Sequence, residues 1–307
     1  MRILITGSKG LIGSSLKHSL GLLNIEVLGI DIRASEIDPE YGDILDKPVI
    51  SSLVNEVDGI VHLAAVSRVI DGEKNPELCW RTNVNGTKNI LDAALSSCNN
   101  PWVIYASSRE VYGQPRDFPV QESAPLLPVN IYGQSKLAAE KMVEKASEQG
   151  LITAIIRFSN VFGRVSDYSD RVVPAFCRAA AEGSNIRVDG SHNLFDFTYV
   201  DDVVQGILSL IHLLSQKGVS LPPIHLTSGR AVSLGEIAKI AQGFSLYPIE
   251  AIESPSRSFD VSRFWGDTTL AHNLLNWKAC VGIEDGMHRL INQYSLLFNT
   301  QSSLVSK

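Results

Sequence analysis

A chain of 307 residues, 44% hydrophobic and 20% charged, is long enough for one large α/β domain or two smaller ones, and its composition excludes disordered, collagen-like and disulfide-scaffold chains. Its 27 Lys and Arg against 33 Asp and Glu give a formal charge of −6, which argues against a broad nucleic-acid or anionic-membrane surface but leaves room for a small basic pocket. The four cysteines (Cys79, Cys98, Cys177 and Cys280) form no Cys-x-x-Cys pair and read as reduced thiols, and the histidines show no metal-ligand spacing.

In chain order, short β-rich runs at Ile3–Thr6, Glu26–Ile30, Gly59–Leu63, Trp102–Ala106 and Thr153–Arg157 alternate with helical periodicity at Leu11–Leu23, Cys79–Ser97 and Tyr132–Gln149. In the last of these, Lys136, Glu140, Lys141, Glu144 and Lys145 read as a charged face, with Leu137, Ala138 and Val143 on the other. Strand–helix–strand repetition implies parallel strands joined by right-handed crossovers, hence a doubly wound α/β sheet. After about Asn160 the rhythm changes. Arg164–Asp170 and Pro248–Ser258 read as loops, Val173–Glu182, Leu234–Gln242, Thr268–Leu275 and Ile283–Phe298 as helices, and Thr300–Lys307 as a frayed end. The expected division is a dinucleotide-binding domain of residues 1–160 plus about 196–215, with a smaller C-terminal α/β substrate-binding region of residues 161–195 plus about 216–307. No apolar run reaches the roughly 18–20 residues of a membrane span. Met1–Gly7 leads straight into a strand, so the expected compartment is the cytoplasm.

Gly7, Gly10 and Gly13 follow the first strand and open a helix. Glycines there permit a tight turn and close approach of backbone to a pyrophosphate, whose charge meets the helix N-terminus. Asp31 ends the next strand, where a carboxylate accepts from an adenosine ribose hydroxyl and repels a 2′-phosphate. NAD is therefore the expected cofactor, with Lys9 and Arg33 near enough in sequence to keep NADP open. Tyr132 and Lys136 stand four apart at the start of a helix, so both side chains share a face, and an ammonium beside a phenol would lower its pKa toward use as a proton acceptor. The same spacing also suits an ordinary helix-surface pair. Ser107–Gly113 leaves the fourth strand at the sheet edge where open α/β proteins place ligands.

Thr6-Gly7-Ser8-Lys9-Gly10-Leu11-Ile12-Gly13, His62-Leu63-Ala64-Ala65, Asn83-Val84-Asn85-Gly86-Thr87, Tyr132-Gly133-Gln134-Ser135-Lys136, Tyr199-Val200-Asp201-Asp202 and Gly266-Asp267-Thr268 together resemble the extended short-chain dehydrogenase/reductase family of nucleotide-sugar epimerases and dehydratases, over nearly the whole chain. The resemblance implies a Rossmann-type sheet. It places Leu11 and Ile12 beside the glycines at the cofactor, Asp43 and Ile44 at the adenine, and Leu63, Ala64 and Ala65 along the dinucleotide cleft. It gives Ser108 the position that binds the reacting hydroxyl, and makes Tyr132 and Lys136 the catalytic pair. Asn160, Arg171, Arg257 and Asp260 become substrate contacts, and the helices Cys79–Ser97 and Tyr132–Gln149 the faces of a homodimer.

Two positions depart from the pattern. Glu110 occupies the place of a glutamate that serves dehydratases and decarboxylases, yet Arg109 stands where the dehydratase acid would be; an ion pair of Glu110 with Arg109 or Arg116 is the plainer alternative. Phe195 stands where nucleotide-sugar enzymes usually carry a diphosphate-binding arginine, a role Arg171, Arg187 or Arg257 could take over. The expected activity is an NAD-dependent nucleotide-sugar 4-epimerase working through a transient 4-keto sugar. A dehydratase or decarboxylase using Glu110, a dehydrogenase or reductase of a non-nucleotide alcohol, and a non-catalytic dinucleotide sensor remain open beside it.

Overall fold

The computed structural model describes residues 1–255 and 261–305. Its first half runs β1 (Arg2–Thr6), α1 (Leu11–Leu22), β2 (Glu26–Ile30), α2 (Lys47–Val54), β3 (Gly59–His62), α3 (Val69–Lys74), α4 (Pro76–Trp80), a π turn (Arg81–Gly86), α5 (Thr87–Ser96), β4 (Trp102–Ser108), a 3-10 turn (Arg109–Tyr112), α6 (Ile131–Glu148) and β5 (Thr153–Phe158). There follow β6 (Asn160–Phe162), α7 (Val172–Glu182), β7 (Ile186–Asp189), β8 (Leu194–Tyr199), α8 (Val200–Lys217), β9 (Ile224–Leu226), β10 (Ala231–Ser233), α9 (Leu234–Phe244), β11 (Ala251–Ser254), β12 (Arg263–Phe264), α10 (Thr269–Leu275) and α11 (Ile283–Val305).

The main sheet is parallel throughout, in the order β2-β1-β3-β4-β5-β9. Because side chains alternate across a strand, Ile3 and Ile5 meet Leu16 and Leu20 of α1 and Val203, Ile207 and Ile211 of α8 on one face. Leu4, Ile60 and Val103 meet Ile50 and Val54 of α2, Ile90 and Leu91 of α5 and Val143 of α6 on the other. Strands buried on both faces explain the continuous apolar runs in the sequence. The chain passes from β1 to β2 on one side and to β3 on the other, so the crevice at the carboxyl ends of β1 and β3 is the topological switch point where such sheets bind ligands.

A second core joins Phe176 and Cys177 of α7, Ile186, Phe195, Phe197, Ile237, and Met287, Leu290 and Ile291 of α11. Within it β8 pairs with β6, β10 and β12. The buried Asp196 carboxylate accepts from Ser228 N and Oγ (2.7 and 2.8 Å) and Gly229 N (2.7 Å), tying β8 to the loop after β9.

Several expectations need correction. The helix expected over Cys79–Ser97 is interrupted by the π turn. There Asn83 turns inward, accepting from Val66 N (2.8 Å) and donating to Ser135 Oγ (2.9 Å), so a side chain takes over part of the local bonding. The charged face of α6 is not all solvated. Lys136 and Glu140 are 4% and 1% exposed, on the same inner face as Ala139 and Val143. Pro248–Ser258 contains β11, paired in parallel with β7; its mostly exposed side chains leave no apolar alternation to mark it. The helix near the C-terminus continues to Val305 rather than fraying from Thr300. All four cysteines are free. Among the described residues, no helix is long and apolar enough to cross a membrane.

Candidate active site

The glycine turn closes the gap between β1 and β3. Gly7 adopts φ +74°, and a Cβ there would lie 2.8 Å from the Ala64 backbone nitrogen at the exit of β3. That exit is pinned further by Thr6, whose Oγ1 accepts from Ala64 N at 3.1 Å and lies 2.6 Å from His62 Nδ1. Burial pulls His62 down to about 3, with Lys136 adding to the shift, so the ring stays neutral between Thr6 and Thr87. Helix α1 starts at Leu11 with Gly10 as N-cap, no side-chain cap and no acid in its first turn. Its leading N–H groups are open to an anion.

Asp31 is buried at the exit of β2, accepting from Lys9 N and Arg33 N, both at 2.8 Å. Lone pairs remain for ribose hydroxyls. Lys9 is drawn to Asp38 (2.7 Å) and Glu40 (3.4 Å), so the nearest ammonium is already neutralised, as suits NAD better than NADP. Asp43 accepts from Leu45 N at 2.9 Å, and buried Ile44 packs against Gly86. Leu63, Ala64 and Ala65 are half-buried at β3's exit, and with the open helix N-terminus and Asp31 they supply the donor and acceptor set a dinucleotide needs. Replacing Gly7 by Ala is expected to weaken NAD binding at least about tenfold, because a left-handed backbone and the contact with Ala64 both oppose a methyl group. Titration calorimetry reads this directly, with Gly21→Ala on α1, where a Cβ meets nothing, leaving affinity unchanged.

Ser108 ends β4 and is paired in register with Phe158, the last residue of β5, and Asn160 opens β6 two residues further on. Tyr132, Ser108 and Lys136 are all buried. Tyr132 is pushed up to about 12, chiefly by burial; its hydrogen bond with Ser108 and the charge of Arg171 pull the other way, and Glu110 adds to the rise. Lys136 Nζ donates to Ala106 O at 2.8 Å, lies 6.0 Å from the Tyr132 ring centroid, and is itself drawn down to about 8 by burial. The lowered phenol pKa expected from the Tyr–Lys spacing is therefore not met by these groups alone: burial outweighs the Ser108 hydrogen bond and the Arg171 charge.

Glu110 is also inside the site, but its carboxylate is engaged on both oxygens. Oε1 pairs with Arg109 Nη2 at 2.9 Å, and Oε2 accepts from Asn130 Nδ2 at 2.8 Å. Asn130 is in turn the N-cap of α6, accepting from Gly133 N at 2.8 Å. Glu110 thus holds the start of the helix that carries Tyr132, and its partner is Arg109, not Arg116.

Arg171 donates to Ser67 Oγ (3.1 Å), stands 3.7 Å from Asp167 and reaches Tyr132 through its charge, so the structure brings it to the cleft. Asn160 is half-buried and donates to Asp196 O at 3.3 Å. Arg257 and Asp260 lie outside the described residues. Phe195 is buried in the second core, and the guanidinium over its ring, 4.4 Å from the centroid, belongs to Arg109. Arg187 is elsewhere, exposed and paired with Asp189. Arg109 and Asn130 were missed as site residues. An Asn two positions before Tyr132 is a legible helix cap, whereas nothing local links Arg109 to Phe195.

The profile of the NAD dependent epimerase/dehydratase family matches residues 3–219. A UDP-glucose 4-epimerase of Lactobacillus helveticus is 27% identical over 91% of this chain and 92% of its own length. UDP-glucuronic acid decarboxylase 1 of Danio rerio is 30% identical over 96% of this chain and 72% of its own. The crystal structure of a UDP-glucose 4-epimerase with UDP-glucose from Thermotoga maritima superposes with a TM-score of 0.88 at 24% identity, over 97% of this chain and 100% of that one, a likeness that shows the fold.

Proposed function

This chain belongs to the NAD dependent epimerase/dehydratase family, and from that premise we propose that it is a nucleotide-sugar 4-epimerase, in which Ser108, Tyr132 and Lys136 act on the sugar 4-hydroxyl. The chemistry NAD would supply when bound is reversible hydride storage. Tyr132 Oη takes and returns the hydroxyl proton, Ser108 Oγ orients that oxygen, and the Lys136 ammonium holds the nicotinamide ribose. Gly7, Gly10, Leu11, Ile12 and Gly13 hold the pyrophosphate, Asp31 the adenosine ribose, Asp43 and Ile44 the adenine, and Leu63, Ala64 and Ala65 the cleft wall. The main-sheet layer is the cofactor unit and the second core the sugar-nucleotide unit, with Asn160 and Arg171 on the substrate side. The relatives' names support a nucleotide-sugar substrate. Half-exposed Trp80 and Leu95 on the helical stretch before β4 support a homodimer through that face.

One observation favours epimerisation over elimination. Proton uptake by Glu110 would discharge its ion pair with Arg109 beside the bond from Asn130 that starts α6, so these contacts oppose its use as a base. Turnover in deuterated water is expected to leave the sugar carbons undeuterated, because the migrating hydrogen never leaves the cleft. Deuterium at C5, read by NMR, would show proton abstraction there and count against this reading.

A further inference from the structure

Buried cations around this site are satisfied, with one exception. Lys136 gives its ammonium to Ala106 O, and Arg157 is bonded to Glu140, Tyr112 and the carbonyl of Glu122. Arg109 Nη2 pairs with Glu110, but Nη1 is closed off from solvent and has no acceptor, and it is the only such Lys or Arg nitrogen among the described residues. A charged donor left unpaired away from water carries an uncompensated desolvation penalty. The Phe195 face under the guanidinium returns part of that as a cation–π contact but gives Nη1 no lone pair.

We propose that Nη1 is kept for the substrate: Arg109 binds an anionic oxygen of the sugar nucleotide and sets specificity for a sugar that bears a carboxylate. This rests on the nucleotide-sugar reading above. Arg109 Nη2 sits on Glu110, and the charge of Glu110 reaches Tyr132, so the guanidinium stands close to the reacting hydroxyl. A C6 carboxylate is a group near that hydroxyl; the diphosphate is the other source of the same chemistry. Phe195 acts as the flat surface on which the guanidinium turns while Nη2 stays on Glu110, bringing Nη1 to a ligand oxygen. Nη1 can give one charge-assisted N–H···O bond, the kind of contact that a carboxylate or phosphate oxygen accepts.

The test is binding, measured by calorimetry on NAD-loaded protein with UDP-glucuronic acid, UDP-glucose and UDP. Because removing Arg109 frees the negative charge of Glu110, both Arg109→Met and the double variant Arg109→Met/Glu110→Gln are needed, each checked for unchanged NAD content. The expected result is a Kd for UDP-glucuronic acid raised about 30-fold or more in both variants, with UDP-glucose and UDP changed less than about threefold. An equal loss for all three ligands moves the contact to the diphosphate and overturns the carboxylate assignment. Unchanged Kd values for all three overturn the role of Arg109 altogether. Wild-type protein that holds NAD but none of the three ligands refutes the nucleotide-sugar reading instead, and the proposal with it.

Discussion

Tyr132→Phe is expected to lower turnover by about 10³-fold while leaving NAD affinity and the fold intact. The reasoning is geometric. Tyr132 stands at the start of α6, is hydrogen-bonded to Ser108, and lies on the helix face that also presents Lys136. Its ring fills a buried position that Phe fills equally well, so only the hydroxyl is lost. Ser108→Ala removes the orienting hydroxyl but keeps the proton acceptor, and a smaller loss is expected. Steady-state rates together with NAD titration separate the two effects. Turnover of Tyr132→Phe within about threefold of wild type would remove Tyr132 from the chemistry.

Glu140→Ala is expected to be the most damaging single change to stability, at about 3–5 kcal/mol. Glu140 and Arg157 are 1% and 2% exposed and meet through two parallel bonds of 3.0 and 2.7 Å. Burial alone would lower the Arg157 pKa; the bond to Glu140 and its charge, with Tyr112, more than offset this and hold it above its ordinary value. Removing Glu140 leaves that charge in the core beside a tyrosine and one carbonyl. In urea the midpoint should fall by about 1 M or more. Asp92→Ala breaks the exposed Lys88–Asp92 pair instead, and should cost less than about 0.5 kcal/mol. The double variant Glu140→Leu/Arg157→Met should recover most of the loss, since apolar groups of similar size avoid desolvation.

What the sequence reveals is what depends on local pattern. The glycine turn, Asp31 at the next strand end, Ser108 at the end of the fourth strand and the Tyr132–Lys136 spacing are each set within a few residues, and the glycine turn, Asp31 and Ser108 lie at the carboxyl ends of strands of one parallel sheet. What it conceals depends on partners far along the chain. Charge alone assigns Lys136 and Glu140 to solvent, but Ala106 O and Arg157 supply buried partners from β4 and β5. Asn83 looks like a mid-helix residue until Val66 and Ser135 are placed beside it. Phe195 reads as a missing cation, yet folding sets the guanidinium of Arg109 on its face. The engagement of Glu110 by Asn130 is hidden for the same reason: the cap and the carboxylate meet only when α6 docks against the end of β4.

The central claim, that this NAD-dependent site inverts a sugar hydroxyl rather than removing a group, is tested most directly by incubating the protein and a trace of NAD with a panel of nucleotide sugars that includes uronic acids, and following product mass and retention. A product of unchanged mass and shifted retention, formed without accumulation of reduced cofactor, is the predicted result. Loss of water or carbon dioxide, or reduced cofactor accumulating in step with product, would contradict it.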